Sequence, residues 1–171
     1  MEVESRDLSL IAIFAALYAA LVYVFLPISF YMLQFRVAGV LRPAITRKWI
    51  LAVGYAIGVV IGNFFSPYFG VYELLFMPVM SLVAGLLGYV LARKFNSNYF
   101  ICGAVIATII ALSVSWMLLQ ISNEPMLLTF PYLFVSEQIV NFIGSILFKT
   151  IETRIKWWQI SESTGKMRRH S

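Results

Sequence analysis

The chain predicts an all-α polytopic membrane protein of six transmembrane helices with both termini cytoplasmic, and three observations carry that prediction. First, 61% of its 171 residues are hydrophobic and only 12% charged, with a mean hydropathy of +0.85. A soluble domain carries about 25% charged residues. Second, six apolar segments can be drawn, at 8–26, 29–45, 49–65, 71–92, 99–121 and 126–149. A spanning helix needs roughly 17–25 residues, so the second and third segments sit at the lower limit. Third, the basic residues fall on one side of this map. Arg6, Arg42, Arg47, Lys48, Arg93, Lys94, Lys149, Arg154, Lys156, Lys166, Arg168 and Arg169 flank alternate junctions, and Arg36 is the one exception among 13. The positive-inside rule then puts both ends in the cytoplasm and makes the helix count even.

Each segment has its own signature. The first begins at Leu8 with no small-residue cleavage site behind it, so it reads as a retained helix and not a signal peptide. Ala12, Ala16 and Ala20 recur every four residues and so share one stripe. Small-residue stripes let helices approach closely where lipid offers no hydrophobic drive. The stripe serves either packing inside the bundle or docking of a separate membrane subunit. The second segment has Pro27 before it and Pro43 near its end, which argues for partial unwinding. On an ideal helix Gln34 and Arg36 lie about 200° apart, so they share a pocket only if that helix is distorted. The remaining segments end at basic or turn-rich junctions. The whole reads as a single six-helix transmembrane domain over 1–171, with a short basic cytoplasmic tail at 150–171. Trp157 and Trp158, beside Lys156 and Arg154, fit an interfacial anchor.

Composition excludes several chemistries. Cys102 is the only cysteine and lies in an apolar run, which suits core filler and leaves no disulfide or thiolate metal site. The only histidine, His170, is in the tail, so a histidine-based hydrolase or zinc enzyme lacks its parts. No Gly-Lys-Ser/Thr phosphate loop occurs, so no cofactor is expected in this chain and any ATP is used by partners. The pI near 9.5 is a topology signal that needs no nucleic acid to explain it.

Polar residues inside the segments are the remaining information. Arg36 costs at least ~2.5–3.5 kcal/mol near a bilayer centre, so it calls for a partner or a wet cavity. Gln34, Asn63, Glu73, Trp116, Gln120, Glu137, Gln138 and Asn141 join it, all in the outer half, while the inner half is nearly all aliphatic. Arg36 and Glu137 fall roughly 10 Å inward from the outer helix ends. A channel needs polar residues along its whole depth, so the pattern predicts a cup open to the outside. Plainer readings stand beside this one. Asn63 and Glu73 suit solvated interface positions, Arg36 and Glu137 suit a structural strut, and Trp116 suits belt or core.

The run Gln34-Phe-Arg-Val-Ala-Gly-Val-Leu41, followed by Ile61-Gly-Asn-Phe-Phe-Ser-Pro-Tyr-Phe-Gly-Val-Tyr-Glu-Leu-Leu-Phe76, resembles the QueT family. These are the queuosine-precursor substrate-binding (S) components of energy-coupling-factor (ECF) transporters. The family pattern has a Gln-Phe-Arg-x-x-Glu-x-Leu element and an Asn-x-x-Ser-x-Phe-Gly-x-x-Asp element, with a Glu in the last helix that Glu137 matches. Here Gly39 replaces the acid three residues after the Arg, and Glu73 stands in place of Asp. The resemblance implies a membrane subunit that binds a 7-deazaguanine such as preQ0 or preQ1 from the outside. Partners follow from it too: an ECF coupling transmembrane subunit docked on Ala12, Ala16 and Ala20, and two cytoplasmic ATPases that drive import. Its implied substrate contacts are Gln34, Arg36, Asn63, Tyr72, Glu73, Trp116, Gln120, Glu137 and Asn141. The N1–H and 2-amino donors suit a carboxylate such as Glu137, the carbonyl suits Arg36, Gln34 or an Asn, the ring face suits an aromatic such as Trp116, Tyr72 or Tyr31, and an aminomethyl group suits Glu73. With Gly39 in place of the acid, Glu137, Glu73 or the ligand must balance Arg36. A stand-alone secondary transporter or channel, and a non-transporting membrane scaffold, remain the alternatives.

Overall fold

The computed structural model describes residues 5–30, with the side chain of Phe30 excepted, and 35–155. Gln34 and the tail with Trp157 and Trp158 lie outside the described residues. Helix α1 (Ser5–Val24) is followed by a short α2 (Leu26–Phe30), a 3-10 helix (Val37–Thr46) and α3 (Leu51–Asn63). A π turn (Tyr72–Phe76) leads into α4 (Met77–Lys94), and α5 (Tyr99–Ser122) and α6 (Met126–Arg154) complete the bundle. The described residues contain no strand.

Four of these helices are long and apolar enough to cross a membrane: Ser5–Val24, Tyr72–Lys94 with its π turn, Tyr99–Ser122 and Met126–Arg154. The other two apolar helices are short. At 13 residues α3 is about 20 Å long. The 10-residue 3-10 helix reaches a similar ~20 Å at its steeper rise. Both fall below the ~30 Å of a hydrocarbon core.

The expectation of one regular helix over 29–45 is corrected. The described part of α2 runs to Phe30, and Phe35 and Arg36 are non-helical before the 3-10 turns begin. Pro43 sits inside those turns, where its missing N–H removes a helical hydrogen bond. The element is buried along most of its length, at Ala38, Gly39 and Arg42 through Thr46, and it touches α1, α3, α4, α5 and α6. It is a central plug enclosed by the other helices.

Close backbone approach holds the helices around this plug. Gly54, Gly58 and Gly62 form a stripe on α3 that faces α1. A Cβ at Gly58 would sit 2.9 Å from Tyr18 Cβ and 3.0 Å from the Ala15 carbonyl oxygen. The buried positions of α1, at Phe14, Ala15, Tyr18 and Val22, are the face that meets this stripe. Ala12, Ala16 and Ala20 are left exposed on the outer side of α1. Cys102 is buried on α5 under Gly88, as its apolar context predicts.

Contacts gather the basic junctions at one end. Lys48 Nζ lies 3.8 Å from Asp7 Oδ1, joining the starts of α3 and α1. Arg47 binds Glu152 of α6 at 2.5 Å and donates to the Tyr99 hydroxyl at 3.1 Å. Replacing Gly58 by Val is expected to wedge α1 from α3 and cost about 1–3 kcal/mol of stability. Gly70→Ala, where the nearest atom is 3.8 Å away, is the matched neutral control. Thermal unfolding of the detergent-solubilised variants checks both.

Candidate functional site

Among the described residues four charged side chains are buried inside the bundle: Arg36 (4% exposed), Arg42 (0%), Glu73 (1%) and Glu137 (5%). Arg42 overturns its expected place at a cytoplasmic junction. It projects from the 3-10 plug into the core, where its guanidinium engages Glu137 of α6 through both Nη atoms. Nη2 also donates to the Tyr18 hydroxyl at 3.2 Å. The ring of Tyr55 lies 5.2 Å from Arg42 Cζ and that of Tyr18 lies 6.0 Å away. A desolvated cation over an aromatic face gains up to about 2 kcal/mol. Asn141, one turn along α6, donates to the Glu137 carbonyl oxygen at 2.9 Å and to its Oε2 at 3.4 Å.

This cluster explains Gly39. A Cβ there would stand 2.9 Å from Val140 Cγ1, 3.1 Å from Arg42 Nη1 and 3.2 Å from Arg42 Cζ. A larger side chain at 39 would occupy the space that the Arg42 guanidinium fills.

A second cluster forms at the C-terminal end of α3. Asn63 closes that helix and is buried, with Nδ2 donating to the Glu73 carbonyl oxygen at 3.0 Å. Ser66 Oγ donates to Glu73 Oε1 at 3.2 Å and accepts from Tyr68 N–H at 3.1 Å. Glu73 itself sits in the π turn, closed by Met77 N–H donating to the Tyr72 carbonyl oxygen. Such turns are rare and recur at functional sites. Arg36 lies within the electrostatic field of both Glu73 and Glu137. Two arginines and two glutamates thus balance one another inside the bundle.

The structure brings together Arg36, Asn63, Glu73, Glu137 and Asn141 from the predicted set. It leaves Trp116 (39% exposed) and Gln120 on an exposed face of α5. Tyr72 is half-buried and packs edge-on to Trp116 with centroids 5.8 Å apart, while Phe76 adds a tilted contact at 4.8 Å. Gln138 turns to α5, donating to Thr108 Oγ1 at 3.1 Å and to the Ala104 carbonyl oxygen at 3.3 Å. Arg42, Tyr18, Tyr55 and Ser66 escaped sequence reasoning. An open cleft of about 440 Å³ lies at the basic end between the α4–α5 loop and α6, and Arg47, Tyr99 and Glu152 on its wall already bind one another.

Removing one member of the buried pair strands the other charge. Glu137→Leu is expected to cost about 3–5 kcal/mol, and the double variant Arg42→Met/Glu137→Leu to recover most of it. Thermal midpoints of the two variants beside the parent chain test this coupling.

Comparison with known proteins adds one match. No curated protein and no solved structure matches the chain. The QueT transporter family matches over residues 8–153, from α1 to the last turn of α6 and through both polar clusters. By that match the chain belongs to the QueT transporter family.

Proposed function

We propose that this membrane protein is the substrate-binding component of an ECF-type importer and takes up a queuosine precursor, a 7-deazaguanine such as preQ0 or preQ1. The observation that carries the reading is the buried, charge-balanced set Arg36, Arg42, Glu73 and Glu137, together with Asn63, Ser66 and Asn141. Ionisable residues inside membrane helices mark substrate pathways, because burying them is costly and hydrocarbon packing does not require them. A site that is neutral overall suits a neutral heterocycle, whose carbonyl and N–H groups exchange with internal hydrogen bonds. The charged groups are at most 5% exposed, so binding requires the outer ends of the helices to part.

The buried Arg42–Glu137 pair is distinct from the ion pairs of the basic end, Arg47 with Glu152 and Lys48 with Asp7. In this reading the chain spans six times, with the 3-10 plug and α3 as the two short spans and the basic end in the cytoplasm. The exposed Ala12, Ala16 and Ala20 stripe is the docking face for the coupling subunit, and two partner ATPases supply the energy.

Calorimetry of the purified full chain with preQ0 and preQ1 tests the substrate. Binding of either is expected, and Arg36→Ala is expected to weaken it about 10- to 100-fold, as for loss of a buried charged hydrogen bond. Undiminished affinity in that variant discards the site. Ala16→Trp is expected to abolish co-purification with the coupling subunit while ligand affinity stays unchanged.

A further inference from the structure

Buried hydrogen-bond acceptors without donors are uncommon, since each has lost its hydration and gained nothing in exchange. Among the described residues, Asn63 Oδ1 and Glu73 Oε2 are two such atoms, on side chains that are almost wholly buried. They belong to one cluster. Asn63 Nδ2 is committed to the Glu73 carbonyl oxygen and Glu73 Oε1 to the Ser66 hydroxyl, so each side chain keeps one oxygen open. The π turn that carries Glu73 holds it against the end of α3. Glu137, the other buried acid, is differently placed, because Arg42 engages both of its oxygens and Asn141 shares Oε2.

A carboxylate and a carbonyl oxygen have no proton to offer each other, so the partner they lack must be a donor. Arg36 places positive charge in the same neighbourhood. A second cation, such as a ligand ammonium, would meet that charge, whereas neutral N–H groups would not. Neutral donors next to a carbonyl oxygen are what the edge of a 2-amino-6-oxo heterocycle presents: acceptor, ring N–H, exocyclic amine.

We infer that Glu73 and Asn63 read the N–H edge of the ligand base, with Arg36 facing its carbonyl oxygen, and that Glu137 holds Arg42 and does not touch the ligand. This deepens the proposed function and rests on it. It reverses the assignment that the resemblance implied, in which Glu137 took the donor edge and Glu73 an aminomethyl group.

The test compares 7-deazaguanine with 7-deazahypoxanthine, which lacks only the 2-amino group, on the purified full chain. The parent chain is expected to prefer the 2-amino compound by about 10- to 100-fold, as for one buried acceptor left unpaired. Glu73→Gln is expected to erase most of that preference, and Glu137→Gln to keep it. A preference that survives Glu73→Gln, or that disappears in Glu137→Gln alone, overturns the assignment. Should Glu73→Gln not fold, Asn63→Ala on the same ligand pair takes its place, and an unchanged preference there is equally fatal. The parent chain with N1-methyl-7-deazaguanine gives a further reading, in which binding as tight as that of 7-deazaguanine also refutes the edge contact. Equal binding of both bases by the parent chain sinks the edge assignment but leaves the transporter reading intact. Binding of neither by the parent chain removes both.

Discussion

The ion pair between Arg42 and Glu137 is the contact around which the bundle is organised. It joins the 3-10 plug to α6, and through the Tyr18 hydroxyl and the Tyr55 ring it reaches α1 and α3. Neither charge has an alternative in a hydrocarbon environment. An arginine with no acid beside it would be unsatisfied, and so would the acid. The pair therefore acts less as a source of net stability than as a constraint on register. The plug must lie where its sixth residue meets the twelfth residue of α6. Gly39 and Gly144 make that position sterically possible, the first by leaving room for the guanidinium and the second by letting α6 lie on the backbone at Val40.

Two irregular elements carry the buried charges Arg42 and Glu73, and both follow from the same principle. Non-helical backbone at membrane depth survives only where protein covers it or a cavity hydrates it. The 3-10 plug is covered by five helices, and the π turn is tied to α3 through Asn63. Regular α-helices would have presented these polar groups at helical intervals along single faces. The irregular turns instead gather Arg36, Arg42 and Glu73 between helices, where they offset one another. Apolar helix surfaces such as Ile13 and Leu17 on α1 are left for lipid or a partner.

Legibility in the sequence divided along physical lines. Arg36 was visible because a charge in an apolar run is costly wherever the run lies. Arg42 was misread because a basic residue at the edge of an apolar segment looks the same whether it flanks the membrane or folds back into the core. Only the 3-10 path of residues 37–46 separates the two. The glycine stripe at 54, 58 and 62 is legible as small residues four apart, but only packing shows that it, and not the alanine stripe of α1, makes the close helix contact. Trp116 fitted a stacking role by residue type alone, and its partners proved to be Tyr72 and Phe76 on the exposed flank of α5.

By itself the sequence determined that this is an apolar, helical membrane protein, since hydropathy and segment length depend on composition and not on neighbours. It also carried the resemblance in the Gln-Phe-Arg and Asn-Phe-Phe-Ser elements and the presence of charges that need an explanation. Which charges meet was decided only by the tertiary structure. Arg42 with Glu137 lies 95 residues apart in sequence, and no local rule selects that partner over Glu73. The same holds for the open oxygens of Glu73 and Asn63, because whether an acceptor is satisfied depends on every group that folding brings within reach.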